Sequence, residues 1–277
     1  MRRGTNWKDH SFAEFHRVGS GCPLMRWLLS NVRSKLAHAA HNPAYTVRSL
    51  LREITIADER FLSRITGCPV SKIRGFLDEP LRTPDFAACL RGAEASMKGL
   101  GLKSADLYAK KILAQYATIR AFQPEIVVET GVANGVSSSY LLLALAKNDR
   151  GRLYSVEVGD PSYLPEGKPN GWMVPDFLRA RWEMRVGDSR VLLPALLREL
   201  QRSDVFIHDS LHSYDHMLWE FRAAYPFLPD GGLLVADDAL WNDAFWQFKR
   251  EVKAKDGEII RGVGYLRKDA PATEAGL

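Results

Sequence analysis

The residues of this chain that could do chemistry follow short apolar runs in its second half. The glycine-spaced loop VETGVANGVSSSY comes directly after an apolar run, and Glu157 closes the next run, LYSVEV. Asp209 ends the run DVFIHD, and the adjacent acids Asp237 and Asp238 end GGLLVADD. Glycine lets backbone turn sharply or approach a ligand closely, and carboxylates accept hydrogen bonds or bind hard cations. The pattern predicts a ligand site built at the ends of successive strands.

The glycine loop differs from the dinucleotide fingerprint GxGxxG, because Gly131 and Gly135 lie four residues apart with Ala133 between them. The carboxylate of Glu129 would repel a diphosphate but could accept hydrogen bonds from an ammonium group. Glu157, at the end of the next strand, could bind both hydroxyls of a ribose. An amino-acid ammonium and a ribose together describe S-adenosylmethionine better than NAD. The alternative is that both acids are ordinary loop residues. We also expect that a side chain at position 131 would fill space that the ligand needs and leave the fold intact.

Strands and helices alternate after Pro124 in a way that positions these residues. The apolar runs EIVVET, GRLYSVEV, RWEMRV, DVFIHD, GGLLVADD and EIIRGVGYLRK predict strands. Amphipathic segments of helical length separate them, beginning with SSSYLLLALAKN. Such alternation implies parallel strands joined by right-handed crossovers. We predict an α/β fold with a doubly wound, mostly parallel Rossmann-like sheet, whose ligands bind beyond the carboxyl ends of the strands.

The region before this alternation predicts helices. From about Tyr45 to Arg120, apolar residues recur at intervals of three and four. We therefore divide the chain into a helical N-terminal extension, residues 1–103, and a ligand-binding domain, residues 104–277. Residues 1–40 have weak periodicity and are expected to form a loosely ordered arm. The extension would either complete a binding pocket or mediate formation of a homo-oligomer.

Composition excludes several classes of protein. No run of apolar residues approaches the roughly 18 needed to span a bilayer, and Arg26 interrupts the best candidate for a signal peptide. The three cysteines, Cys22, Cys68 and Cys89, are widely spaced, which indicates a reducing cytoplasm. The net charge of +5 comes from a basic excess in residues 1–120. Because no basic run is dense or interleaved with aromatic residues, a nucleic-acid partner is not expected.

The glycine loop and the segments that follow it resemble class I S-adenosylmethionine-dependent methyltransferases. VETGVANGVSS is similar to the ExGxxxGxS variant of their motif I, found in the branch that includes macrolide-sugar O-methyltransferases and cephalosporin hydroxylase-like proteins. The similarity covers roughly residues 104–268 and includes GWMVP, GDSRVLLPALL, HDSLHSYDHMLWEF and PDGGLLVADDALWNDAF. Ala133, in place of the commoner glycine, is typical of this branch. The resemblance implies cofactor contacts from Glu129, Gly131, Ala133, Gly135, Ser137, Glu157, Asp188, Ser189 and Asp209, with Asp188 and Ser189 near the adenine.

Asp209, Asp237 and Asp238 are expected to meet, because strands four and five are neighbours in a doubly wound sheet. Carboxylates that lie close repel each other and raise their own pKa values, and a hard divalent cation relieves this repulsion. In the resembled O-methyltransferases, acids at these strand ends bind Mg²⁺, and the metal orients the substrate hydroxyl. We therefore predict a magnesium site. The alternatives are a helix cap at Asp237 or Asp238, and an arginine salt bridge at Asp209.

His212 is the candidate general base, with Asp209 beside it in the catalytic set. It lies three residues after Asp209, at the mouth of the predicted site, and histidine suits proton removal near neutral pH. The resembled sugar O-methyltransferases have a histidine in this DxxHxY setting. The alternatives are a solvated surface histidine, or a metal that acidifies the acceptor without a base. Zinc is disfavoured, since His208 lies in a strand run and cannot share a helical face with His212 and His216.

Aromatic residues mark two further features. The long segment GDPSYLPEGKPNGWMVPDF carries Tyr163 and Trp172, which favour a mobile lid over a disordered loop. Trp219, Trp241 and Trp246 have helical spacing and are predicted to serve packing.

Together these features predict an S-adenosylmethionine-dependent methyltransferase, metal-assisted, that methylates a hydroxyl group of a small molecule. The first alternative is a methyltransferase-like binding protein without turnover, which docks a partner or nucleic acid through its basic N-terminal half. Strand-end acids and a His212 that are open to solvent would favour turnover over this alternative. The second alternative is a nicotinamide oxidoreductase, against which the missing GxGxxG argues.

Overall fold

The computed structural model describes residues 58–100, 107 and 109–270. The predicted N-terminal arm and Cys22 lie outside these residues. Within the described part of the chain, no helix has the length and apolar character needed to cross a membrane.

A seven-stranded sheet forms the centre of the fold and confirms the predicted α/β class. Its strands follow one another in the order β3-β2-β1-β4-β5-β7-β6. Strands β1 to β5 are parallel to one another, whereas β7 is antiparallel to both β5 and β6. The strand bounds are β1 Ile126–Thr130, β2 Arg152–Glu157, β3 Trp182–Val186, β4 Val205–His208, β5 Leu233–Ala236, β6 Gly257–Ile260 and β7 Val263–Arg267.

Helices flank the sheet and connect its parallel strands. In the described residues their bounds are α1 Asp58–Thr66, α2 Val70–Arg82, α3 Pro84–Gly99, α4 Lys110–Phe122, α5 Val136–Asn148, α6 Ser189–Leu200, α7 Tyr214–Ala224 and α8 Ala244–Glu251. Strands β1, β4 and β5 are buried almost throughout, which explains why they read as continuous apolar runs instead of alternating ones. The run EIIRGVGYLRK forms the β6–β7 hairpin. Its two-residue turn places Arg261 and Gly262 at φ 49° and 84°, as the hairpin geometry of a right-twisted sheet requires.

The helices before β1 share one hydrophobic core with the sheet. Phe61 of α1 packs edge-on against Tyr265 of β7, with ring centroids 5.5 Å apart, and Phe86 of α3 packs on Tyr140 of α5 at 5.0 Å. Because α1 to α3 complete this core, they are part of the packing that holds the sheet. The domain boundary at residues 103 and 104 stays a prediction.

The order of the strands reverses between β1 and β4, and such a point is where a doubly wound sheet binds its ligands. The backbone N–H of Asp209 donates to the carbonyl of Thr130 at 2.8 Å, and that of Asp237 donates to the carbonyl of His208 at 2.8 Å. These bonds continue the strand register into the loops. The residues after β1, β4 and β5 are therefore brought to one edge of the sheet.

Candidate active site at the carboxyl edge of the sheet

The glycine loop passes directly over the end of β4. Gly131 has φ 84°, and a Cβ atom built there would lie 2.0 Å from the carbonyl oxygen of Asp209. Gly135, also at φ 84°, begins α5, and a Cβ there would lie 2.8 Å from the Cα atom of Gly171. The expectation that a side chain at position 131 would leave the fold intact is wrong, because its Cβ would meet protein backbone. Both glycines are needed for the loop itself to close.

Glu129 supports the loop from within the protein. Its side chain is fully buried, and its two oxygens accept hydrogen bonds from Ser137 at 3.1 Å, Ser138 at 2.7 Å and Ser155 at 2.8 Å. Burial raises the pKa of Glu129 to about 7, and the serine hydroxyls oppose this shift. The contacts hold the carboxyl group beneath the loop. Direct contacts from Glu129 and Ser137 to a cofactor stay predictions.

Glu157 holds the loop from the end of β2. One carboxylate oxygen accepts the backbone N–H groups of Val132 at 2.7 Å and Ala133 at 2.8 Å, and the other accepts that of Gly159 at 3.1 Å. Ala133 has the left-handed φ of 45° at the position where the commoner motif has glycine. The carboxylate therefore fixes the loop conformation that a non-glycine residue would otherwise disfavour.

The residues that follow β3 lie at the same edge of the sheet. Asp188 caps α6 by accepting the N–H of Arg190 at 2.8 Å, and the Ser189 hydroxyl lies 3.3 Å from His216 Nε2. Val158 and Val186, just beyond β2 and within β3, are 62% and 57% exposed. Exposed valines at adjacent strand ends offer an apolar surface for a flat group. These valines were not predicted as site residues, because an isolated valine at a strand end does not differ from an ordinary strand residue in the sequence.

The segment predicted as a lid is fixed to the glycine loop where it carries Trp172. The N–H groups of Gly171 and Met173 donate to the carbonyls of Ala133 and Asn134 at 2.8 and 3.0 Å, and Trp172 Nε1 donates to Asn134 Oδ1 at 2.6 Å. This part of the segment is a wall of the site. The three hydrogen bonds leave it without the freedom of a hinged lid.

A lysine lies beside the acids that follow β4 and β5. The ammonium of Lys111, in the first turn of α4, is 2.6 Å from Asp237 Oδ2 and 3.7 Å from Asp238 Oδ1. Burial disfavours the charge on Lys111, but Asp237, Asp238 and Asp209 outweigh it and raise the pKa of the lysine above its ordinary value. Burial and the repulsion from Asp237 raise the pKa of Asp209 well above its usual range. We refer to Asp209, Asp237 and Asp238 as the acid cluster.

His212 faces this cluster from the loop before α7. Its Nε2 atom lies 3.9 Å from Asp209 Oδ1 and 3.8 Å from Asp238 Oδ2. Burial, together with the neighbouring His208, lowers the pKa of His212 to about 4, so the imidazole is neutral at pH 7. Trp241 packs on it with ring centroids 5.4 Å apart and is 57% exposed. The prediction that Trp241 is a packing residue is therefore wrong, because most of its ring faces solvent at the site.

A buried glutamate ties the strand ends together. Glu220 of α7 accepts hydrogen bonds from Thr130 at 2.6 Å and Ser210 at 2.9 Å, and pairs with His208 Nδ1 at 2.6 Å and His216 Nε2 at 2.9 Å. Burial opposes its charge, but the bonds to His208, His216 and Thr130 outweigh that cost and lower the pKa of Glu220. We refer to these five residues as the Glu220 network. Two of the three histidines considered for zinc are thus partners of a carboxylate.

Comparison with known proteins identifies the fold that carries this geometry. Residues 128–239 match the family model described as a methyltransferase domain. Over these residues the chain is similar to a methyltransferase domain. The match begins in β1 and ends just after the acid cluster, so it contains the glycine loop, Glu157, His212 and all three acids. The predicted resemblance to methyltransferases is confirmed over these residues.

Solved structures share the fold of the methyltransferase domain. A protein assigned as an O-methyltransferase from Klebsiella pneumoniae is 16% identical, with a TM-score of 0.50 over 66% of this chain and 90% of that chain. The O-methyltransferase TomG from Streptomyces achromogenes, involved in tomaymycin synthesis and solved with S-adenosylmethionine, is 18% identical, with a TM-score of 0.51 over 66% and 90% of the two chains. No curated protein matches the chain.

The residues at the acid cluster of the methyltransferase domain do not fit a magnesium ion as they are arranged. Mg²⁺ takes oxygen ligands at ~2.0–2.1 Å, whereas Asp237 Oδ2 already accepts the Lys111 ammonium at 2.6 Å. Among the described residues, no group of three histidine, cysteine or acidic side chains has the geometry of a metal site. The cation beside Asp237 and Asp238 is the ammonium of Lys111.

Lys111 and Glu220 are two further site residues that were not predicted from the sequence. A local signal exists for Lys111. Two lysines, Lys110 and Lys111, occupy the first turn of α4, which has no acidic residue there, although the positive end of a helix disfavours cations. Glu220 has no such signal, since a glutamate within a helix is ordinary.

Proposed function

We propose that this protein transfers the methyl group of S-adenosylmethionine to a hydroxyl oxygen of a small molecule. The observation that carries the proposal is the placement of a neutral histidine, His212, within 3.9 Å of carboxylates at the ends of two adjacent strands. In the same domain, the glycine loop and Glu157 lie at the next strand ends. A cofactor-binding half and a proton-accepting half thus share one edge of the sheet.

The cofactor half fits a nucleoside with an amino-acid tail. Glu157 would accept ribose hydroxyls, because the oxygen that accepts Gly159 at 3.1 Å has one further lone pair to offer. Val158 and Val186 would contact the face of the adenine, and Asp188 and Ser189 would contact its edge. Gly131, Ala133 and Gly135 would bring loop backbone close to the amino-acid tail, with Glu129 and Ser137 hydrogen-bonded to each other beneath it.

The acceptor half would remove a proton. When bound, S-adenosylmethionine supplies an electrophilic methyl group, and the attacking hydroxyl must lose its proton as the new bond forms. The His212 imidazole is neutral at pH 7, because burial lowers its pKa to about 4, and one of its ring nitrogens can therefore accept the proton. Asp209 and Asp238 lie beside the ring and would stabilise the imidazolium that forms. A base of such low pKa is weak, so most of the rate would come from proximity and orientation of the two substrates.

The exposed face of Trp241 extends the acceptor half. Its ring packs on His212 and is more than half exposed. Apolar Leu211 and Tyr214 are exposed nearby in sequence, at 59% and 40%. An acceptor with an apolar ring or chain beside its hydroxyl would be held against this surface.

The binding-protein alternative is not favoured by any observation on the described residues. Exposure of the acids and His212 to solvent is the observation that favours turnover over this alternative. The side chains of Asp209, Asp238 and His212 are 28%, 31% and 18% exposed. Magnesium is not carried into the proposed reaction, since Lys111 lies where the metal would bind. The cytoplasmic location and the homo-oligomer stay predictions.

Calorimetry tests the cofactor half. We expect S-adenosylmethionine and its demethylated product to bind the full chain and NAD not to bind. Glu157→Gln should weaken binding by tenfold or more, because the ribose would lose a charged acceptor, whereas Glu199→Gln on the exposed face of α6 should not. Binding of NAD in place of S-adenosylmethionine would overturn the proposal. Transfer of a labelled methyl group to a panel of hydroxylated small molecules then tests the acceptor half.

A further inference from the structure

The carboxylates of the acid cluster repel one another, and one side chain of the protein supplies a compensating positive charge. Three carboxylates lie at the ends of β4 and β5, and one of them, Asp237, is almost fully buried. Close carboxylates in a site of low dielectric repel each other strongly unless a cation lies between them. The His212 ring lies beyond hydrogen-bond distance of the acids, with Nε2 3.9 Å from Asp209 Oδ1 and 3.8 Å from Asp238 Oδ2. The positive charge among the described neighbours of the cluster is the ammonium of Lys111.

The geometry of Lys111 is that of a buried ion pair. Its Nζ atom donates to Asp237 Oδ2 at 2.6 Å, a short and charge-assisted hydrogen bond. The second carboxylate, Asp238, lies 3.7 Å from the same atom. The ammonium thus bridges the adjacent acids at the end of β5. Asp237 Oδ1 has no hydrogen-bond partner among the described residues, so this buried carboxylate depends on the lysine.

The helix that carries Lys111 supports a specific role for this residue. Lys110 and Lys111 stand at the positive end of α4, where an acidic residue would be favoured. Lys110 is exposed and can be solvated, whereas Lys111 is directed to the acids. A local preference that is broken in this way is expected where a tertiary contact compensates for it. Furthermore, α4 precedes residues 128–239, so the cation reaches the methyltransferase domain from outside the matched region.

We infer that Lys111 is the fixed cation of the acceptor site and takes the place of a divalent metal. Its ammonium occupies the space between Asp237 and Asp238 and repels a second cation there. It holds the acids in the positions that face His212, so Lys111 is a positioning residue. The protein is accordingly independent of divalent metal. This inference rests on the proposed function for the identity of the acceptor site, but not for the cation itself.

Manganese binding tests the inference without any assay of activity. Mn²⁺ is titrated into the wild type, Lys111→Met and the matched control Lys110→Met, and bound ion is followed by loss of the free-ion signal in electron paramagnetic resonance. We expect no stoichiometric binding to the wild type or to Lys110→Met. Lys111→Met leaves three carboxylates without a cation, so it should bind one Mn²⁺ per chain. Mg²⁺ or Mn²⁺ should then raise the Tm of Lys111→Met and leave that of the wild type unchanged.

Two results would overturn the inference. One is stoichiometric Mn²⁺ binding by the wild type, which would mean that the lysine does not exclude a metal. The other is a folded Lys111→Met protein that neither binds Mn²⁺ nor differs in Tm from Lys110→Met. Lys111→Gln, which keeps a polar side chain, provides a second variant if the methionine protein does not fold, and the wild-type titration needs no variant.

A parallel calorimetric titration with S-adenosylmethionine separates this inference from the proposed function. If the wild type does not bind S-adenosylmethionine, the proposed function is wrong. The manganese titration still decides the inference on Lys111. If a hydroxylated acceptor is found, turnover by the wild type should be insensitive to exhaustive chelation.

Discussion

Removal of the Glu220 carboxylate should destabilise the protein severely, since this side chain joins four segments at the site. In the Glu220 network, Thr130 ends β1, His208 ends β4, Ser210 lies in the following loop and His216 lies in α7. Thr130, His208 and Glu220 itself are wholly inaccessible to solvent. The perturbation is Glu220→Ala, which deletes the acceptor and leaves its partners in place.

The magnitude follows from the donors that would be left unpaired. A buried donor without a partner costs about 1–3 kcal/mol, and Thr130 and His208 are both too deeply buried to reach water. Two such donors would lower the free energy of unfolding by about 2–6 kcal/mol, and the cavity left by the side chain would lower it further. For a chain of this size, each kcal/mol lowers Tm by roughly 2–4 °C. We expect the Tm of Glu220→Ala to fall by on the order of 10 °C.

Thermal unfolding followed by circular dichroism provides the assay. Glu199→Ala is the matched control, because Glu199 is exposed and its ion pair with Arg185 lies on the surface. It should leave Tm unchanged. Glu220→Gln keeps the shape and one acceptor oxygen, so its Tm should lie between those of the wild type and Glu220→Ala. Equal Tm values for Glu220→Ala and Glu199→Ala would refute the view that the network holds the strand ends together.

The other predictions concern His212 and the glycine loop. His212→Ala should lower turnover on a hydroxylated acceptor by about 10²–10⁴ with unchanged S-adenosylmethionine affinity; wild-type turnover would remove it from the mechanism. The pKa of His212 is about 4 when folded and about 6.5 when unfolded. The unfolded chain therefore binds this proton first as pH falls, and stability should decline by about 3 kcal/mol between roughly pH 6.5 and 4. In His212→Gln this part of the denaturant-measured pH dependence should vanish; an identical profile would contradict the burial argument. Gly131→Ala should lower Tm well below Gly67→Ala, since both have positive φ but only position 131 brings a Cβ within 2.0 Å of backbone. Similar Tm values would mean that the loop relaxes freely.

The sequence by itself determined the kind of fold and the edge at which the site lies. Strands β1, β4 and β5 each lie within an apolar run that was recognisable alone, because burial on both faces of a parallel sheet makes the run continuous. Asp209, Asp237 and Asp238 could be assigned to one edge because each follows such a run directly. Residues that end a strand are local features of the chain, and their meeting follows from parallel topology.

Only the tertiary structure decided which side chains pair at that edge. Lys111 bonds to an acid 126 residues away, and Thr130 bonds to Glu220 90 residues away. Lys111 and Glu220 lie in helices, and neither contact changes the hydrophobic periodicity of its helix. No local pattern therefore predicts the partner. The same applies to Trp241, whose helical spacing indicated packing although most of its ring is exposed beside His212. Periodicity specifies which face of an element is apolar, whereas the charge that balances a buried acid depends on which element packs across it.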